Sequence, residues 1–248
     1  MNGAIVVTGA SRGIGASVAR LAAARGSAVA VNYARDAAGA HAVVADIVSM
    51  GGRAVAIAAD IGREPEVMAL FAQAESELGE IVGLVNNAGI TGGSVRVENV
   101  DSDRLEALWR TNVTGAFLCA REAIRRMAHS RGGAGGAIVN VSSLAARIGG
   151  GGEWVHYAAS KGAIDTFTRG LAVEVARDGI RVNAVSPGLI DTAIHATSDL
   201  PNRLERMTPG IPMQRPGTTD EVAEAVLWLL SPAASYVTGS ILDVGGGR

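Results

Sequence analysis

Cysteine occurs once in the 248 residues, at Cys119, so no disulfide can close within the chain. That scarcity fits a reducing compartment, and a cytoplasmic location is expected. No apolar run reaches the ~20 residues that a membrane span needs. Met1-Asn2-Gly3 leads straight into an apolar strand, which no signal peptide fits. Charge of one sign is also missing: 22 basic residues are interspersed with 24 acidic ones, for a net charge of −2. Without a basic patch, nucleic acid is not an expected partner. The four histidines, His41, His129, His156 and His195, lack metal-ligand spacing, so no metal site is expected. No linker and no solenoid-type repeat interrupts the chain.

Glycine, by contrast, is abundant: 33 of 248 residues, nearly double the usual ~7%. No collagen period or low-complexity run accounts for the excess, so glycine is expected at tight turns and close backbone approaches. Hydrophobic residues make up 48% and charged residues 19%, a soluble, globular composition. The length suits a single α/β domain over residues 1–248, which buries about 70–75% of its unfolded surface.

Residues 4–8 are a β-branched run without polar alternation, as in a strand buried on both faces. Gly9-Ala10-Ser11-Arg12-Gly13-Ile14-Gly15 follows, then a helical pattern to Arg25, a helix-ending Gly26 and a strand at about 28–33. Between strand and helix, such glycines let a phosphate approach free N–H groups at the helix N-terminus. The spacing is Gly-x-x-x-Gly-x-Gly rather than the commoner Gly-x-Gly-x-x-Gly. The flanking elements still make this a dinucleotide site. Asn32-Tyr33 ends the second strand without the carboxylate that would bind a ribose 2′-hydroxyl. Arg12 and Arg35 are placed to clamp a 2′-phosphate. NADP(H) is therefore preferred, with NAD(H) as the alternative.

Helix 37–49, strand 53–59, helix 64–78 and strand 81–85 continue the alternation. Asp60-Ile61 follows the third strand; Asp60 either accepts from an adenine amino group or caps the next helix. Asn86-Asn87-Ala88-Gly89 ends the fourth strand, where α/β sheets place ligand loops. A helical pattern over 101–129 is interrupted at 111–115, and Asn112 there is unfavourable for a helix. It is either tolerated or marks a local opening that lets a backbone carbonyl bind water. Strand 137–141 delivers Ser142-Ser143 to its end, and a glycine run over 149–152 precedes Trp154 and a helix at 155–177. A strand at 179–186 closes on Pro187-Gly188. The stretch 189–216 contains four prolines, Ile190, Thr192 and His195, and has weak periodicity; it reads as a substrate-loop insertion. Helix 219–230 and a strand at about 240–244 follow. Seven strand–helix alternations predict one doubly wound parallel sheet with helices on both faces.

The chemistry centres on Tyr157 and Lys161, which lie one turn apart on one helix face. A free phenol, with a pKa of about 10, is a poor proton donor or acceptor near neutrality. A neighbouring ammonium favours the phenolate, and a Ser143 hydroxyl beside it can hold a carbonyl oxygen. Together they make a site for moving a proton on or off a carbonyl or alcohol oxygen. His156 adjoins Tyr157 and diverges from its face, His41 and His129 are expected on the surface, and Trp154 and His195 are candidates for the substrate pocket with Ala145.

These stretches, taken in order, resemble the short-chain dehydrogenase/reductase family over essentially the whole length. They are 8–15, Asp60, Asn86-Asn87-Ala88-Gly89, Asn112, Ser143, Tyr157 with Lys161, and Pro187-Gly188. The chain looks most like the single-domain NADP-dependent members, similar to 3-oxoacyl-carrier-protein reductases and glucose 1-dehydrogenases. The resemblance implies a strand order of 3-2-1-4-5-6-7 and a homotetramer acting on a small carbonyl or alcohol. It implies Tyr157 as general acid/base, Lys161 as its charge partner and ribose ligand, and Ser143 as the group that orients the substrate oxygen. Asn112 would hold a relay water, and Ile190 and Thr192 would meet the nicotinamide carboxamide. The gap from Ser143 to Tyr157 is about a residue longer than in many acyl-carrier-protein reductases, so the substrate loop departs from theirs. Three other functions compete: a dinucleotide-binding regulator without turnover, a lyase or epimerase on the same fold, and a hydrolase triad of Ser143, Asp165 and His156. The third lacks a nucleophile elbow around Ser143.

Overall fold

The first strand, β1 (Ala4–Val7), is apolar on both faces and entirely buried. Ala4 and Val6 point into one core, Ile5 and Val7 into another, so the sheet lies between two helical layers. In the computed structural model, which describes residues 3–192 and 203–248, this strand starts an alternation along the chain. It runs α1 (Gly13–Ala24), β2 (Ala28–Tyr33), α2 (Ala37–Ser49), β3 (Arg53–Ala58), α3 (Glu64–Leu78) and β4 (Ile81–Asn86). The second half runs α4 (Ser102–Trp109), α5 (Gly115–Met127), β5 (Gly136–Val141), α6 (Ala145–Ile148), α7 (Val155–Val175) and β6 (Ile180–Pro187). It closes with α8 (Arg203–Met207), α9 (Thr219–Leu230) and β7 (Ile241–Val244).

All seven strands pair in parallel, in the order β3-β2-β1-β4-β5-β6-β7. This is the expected topology. Residues of α3, α5 and α7 fill one core and residues of α1, α2 and α9 the other. The chain starts in the middle, builds outward through β2 and β3, then returns to the far side of β1 as β4. The connections out of β1 and β4 therefore diverge, and such a switch point opens a crevice at the carboxyl ends of the strands.

The helical pattern over 101–129 resolves into α4 and α5, joined by a five-residue π-helical turn, Arg110–Thr114, with Asn112 at its centre. Such turns place an extra residue in the ladder. Within 189–216, Ile190 bridges Gly217 in parallel and α8 forms a short helix; His195 lies outside the described residues.

Candidate active site

The turn after β1 faces the crevice. Gly9 has a φ of 61° and packs so closely on the β4 loop that an added Cβ would come within 2.8 Å of Ala88 Cα. A Cβ on Gly15 would come within 2.5 Å of Asn87 Nδ2. Asn87 explains the contact, since its amide donates to Thr8 O at 2.8 Å and Gly9 O at 3.0 Å, stitching the two loops together. Helix α1 then begins with neither a side-chain cap nor an acidic residue in its first turn. Its positive end thus opens on the crevice, a ready anion site.

The crevice is a cavity of about 740 Å³, within the range of cofactor sites. Ser11, Arg12, Gly13 and Ile14 line one wall, with Tyr33, Arg35, Asp60 and Ile61 beyond them. Arg12 and Arg35 are both exposed. Asn32 also borders the cavity, but its side chain is buried in the framework: Oδ1 accepts from Gly9 N at 3.2 Å and Nδ2 donates to Ala59 O at 3.0 Å. It supports the glycine turn from behind. Asp60 does not cap α3, whose N-cap is Arg63; its Oδ1 accepts from Gly62 N at 2.9 Å. The sequence reading missed Asp36, a carboxylate on this wall that caps α2 by accepting from Gly39 N at 3.0 Å. The Gly39 N–H, the Ser11 hydroxyl and the Arg12 guanidinium hold its pKa below the usual carboxylate range.

At the other end, α7 brings Tyr157 and Lys161 to the cavity. The Lys161 ammonium lies 5.7 Å from the centre of the Tyr157 ring and donates to Val141 O at 2.7 Å. Lys161 is 4% exposed, and burial lowers its pKa from 10.5 to about 8 against the pull of Asp165. It is also the chain's only lysine, all other basic residues being arginine. A guanidinium stays charged in proteins, whereas an ammonium is compact and shifts readily when buried. The one lysine thus stands where those properties matter, a signal present in the composition.

Asn112 is 2% exposed and clamps the β4 loop. Its Oδ1 accepts from Ile90 N at 2.8 Å, and its Nδ2 donates to Ile90 O at 2.9 Å and Ser160 Oγ at 3.0 Å. A Cβ on Gly89 would sit 3.3 Å from Asn112 Oδ1 and 3.6 Å from Lys161 Nζ. Ser143 follows β5 and faces the same space, its Oγ accepting from Ala145 N at 3.1 Å.

Ala145 and Trp154 line the cavity wall beside Tyr157, with the Trp154 ring edge-on to Tyr157 at 5.9 Å between centres. Pro187, Gly188, Ile190 and Thr192 close the cavity from the β6 side. Thr192 Oγ1 is buried without a hydrogen-bond partner among the described residues, near Gly13. An orphaned donor, an uncapped helix start and glycines packed too tightly for a Cβ fit a dinucleotide. The hydrolase triad does not assemble. Asp165 accepts from Ser142 Oγ at 2.5 Å, while His156 is buried against the loop at 91–93. His41 and His129 are exposed, as expected.

A family model described as enoyl-(acyl carrier protein) reductase matches residues 9–248. The chain is 52% identical to an uncharacterised oxidoreductase of Escherichia coli, YgfF, over 98% of each protein. It is 39% identical to a 3-oxoacyl-[acyl-carrier-protein] reductase of Synechocystis, over 98% of this chain and 95% of that one. A variant of a Serratia marcescens short-chain dehydrogenase/reductase superposes with a TM-score of 0.91 at 33% identity, covering 99% of this chain and 97% of that one. A blue fluorescent protein from a metagenomic library, solved in complex with NADPH, superposes with a TM-score of 0.90 at 34% identity and the same coverage. With its parallel sheet in this strand order and these relatives along its whole length, the chain belongs to the short-chain dehydrogenase/reductase family of oxidoreductases.

Proposed function

We propose that the protein is an NADP(H)-dependent oxidoreductase that interconverts a carbonyl and a secondary alcohol, with Tyr157 as proton donor and acceptor. One observation carries the reading: a single cavity has Arg12 and Arg35 at one end and Tyr157, Lys161 and Ser143 at the other. The NADPH complex of the metagenomic relative supports the cofactor. The open start of α1 would hold the pyrophosphate, Asp60 and Ile61 the adenine, and the two arginines the 2′-phosphate. Asn87, Ala88, Gly89, Pro187, Gly188, Ile190 and Thr192 would enclose the nicotinamide half.

A nicotinamide held there would supply the hydride chemistry. Ser143 Oγ orients the substrate oxygen. Tyr157 gives that oxygen a proton in reduction and takes it back in oxidation, a contribution typically worth ~10²–10⁴-fold. The Lys161 ammonium favours the phenolate and would meet the nicotinamide ribose. Asn112 fixes the loop against α7 with its side chain. In this reading the backbone of its π-helical turn holds the water that links Lys161 to solvent.

One domain does this work, with 189–216 as the substrate-side insertion. A homotetramer belongs to the proposal: Phe117 stacks on Phe167 at 3.8 Å between ring centres and is half exposed on α5, an apolar face suited to a second copy. Action in the cytoplasm completes it; no helix among the described residues is long and apolar enough to cross a membrane. Asp36 favours a second reading, in which NAD(H) is the preferred cofactor, because a carboxylate on this wall can accept from a ribose 2′-hydroxyl and repels a 2′-phosphate.

The test is oxidation of NADPH, followed by its absorbance, against a panel of ketones, 3-oxoacyl thioesters and sugars. Turnover with at least one carbonyl class is expected. Binding of NADPH without turnover on any of them would contradict the proposal.

A further inference from the structure

Two consecutive residues at the end of β5 engage the helix that carries Tyr157, and the next one faces the cavity. Val141 O accepts from Lys161 Nζ at 2.7 Å, Ser142 Oγ donates to Asp165 Oδ1 at 2.5 Å, and Ser143 faces the cavity. Ser142 Oγ also lies 3.3 Å from Lys161 O, so the strand end holds α7 at two successive turns. Lys161 and Asp165 are four residues apart, which puts them on one helix face. An ammonium as buried as Lys161 is costly unless it is compensated, and among the described residues Asp165 is the one charge that acts on it.

We propose that Asp165 is a positioning residue of the proton-transfer site: held by Ser142, it is the fixed counter-charge of the buried Lys161 ammonium. The proposal rests on the role assigned above to Lys161 and adds a group that does not touch the cavity. Asp165 is suited to this because a neutral hydroxyl holds it in place. Burial raises its pKa, and the Ser142 hydrogen bond, Arg169 and Lys161 oppose the rise, while Asp243 on β7 adds to it. Around Lys161 itself, Tyr157 and Asp165 face it from α7, Val141 O from β5, and Asn112 with Gly89 from the loop side. Asp165 therefore keeps Lys161 charged to a higher pH than burial alone allows. That maintains the positive charge beside the phenol over the neutral range.

The sole lysine makes the proposal directly measurable. Protein labelled with ¹³Cε-lysine gives one side-chain resonance, and its pH titration reads Lys161 with no substrate present. Asp165→Asn keeps the shape and the acceptor for Ser142 but removes the charge. For unit charges at the ~6 Å typical of an i, i+4 helix pair, in surroundings between protein-like and water-like, its loss should lower the Lys161 pKa by about 0.5–2. Asp165→Glu should restore most of the shift. An Asn variant whose lysine titrates as in the wild type would overturn the proposal. Should that variant not fold, the wild-type resonance still decides. A second, smaller inflection above the usual Asp range is expected as Asp165 takes its proton, and its absence counts against the assignment. Wild-type turnover in the same samples tests the enzyme reading separately. An inactive enzyme with a shifted lysine defeats that reading and leaves the counter-charge standing.

Discussion

Replacing Lys161 with methionine should make the protein more stable at pH 7 and nearly inactive. The lysine is held at a pKa of about 8 in the fold against 10.5 unfolded. The sign follows from which state binds the proton more tightly. Between pH 8 and 10.5 the unfolded chain keeps its proton while the folded one gives it up, so this group's penalty on stability is full below pH 8 and fades above it. The difference between those two values corresponds to about 3 kcal/mol. Methionine removes that penalty but also the hydrogen bond to Val141 O, worth about 1–2 kcal/mol, and leaves Asp165 without its partner. A net gain of about 1–2 kcal/mol at pH 7 remains. The assay is urea unfolding of both proteins at pH 7 and pH 10. Between them the stability difference should move against the variant by about 2–3 kcal/mol, so that its advantage at pH 7 is lost or reversed at pH 10. A variant less stable than wild type at pH 7, with a difference that does not change with pH, would refute the buried-ammonium argument.

Two further predictions concern the cofactor. Arg12→Ala with Arg35→Ala should raise the NADPH KM at least tenfold and leave the NADH value nearly unchanged, each charge-assisted contact being worth about 1.5–3 kcal/mol; equal effects on both cofactors would remove the 2′-phosphate clamp. Asp36→Ser keeps an N-cap for α2 while removing a negative charge beside the arginines. Its NADPH Kd, read by fluorescence titration, should fall several-fold while that for NADH stays or rises, and weaker NADPH binding would contradict the assignment.

What could be read from the residues alone was what is written locally. The glycine turn, the Tyr157–Lys161 pair and the seven alternations depend on spacings of a few residues, and the fold reproduces them. Asn112 stood out because an unfavourable residue in a helix needs a reason, and a π-helical turn is there. Three features escaped. The orientation of Asn32 was hidden because β2 is buried on both faces and shows no polar alternation. Asp36 sits where a helix cap belongs and is one, so nothing in the pattern distinguished a cap from a cavity wall. The pairing of Ser142 with Asp165 spans 23 residues and exists only once β5 lies against α7. Such contacts come from packing, and no local periodicity carries them.

The central claim is that the Tyr157 hydroxyl moves the proton, and Tyr157→Phe isolates that atom. With a carbonyl substrate identified, turnover should fall by ~10²–10⁴-fold while NADPH still binds with near wild-type affinity. A phenylalanine variant that keeps more than about a tenth of wild-type turnover, measured against that general-acid contribution, would contradict the account.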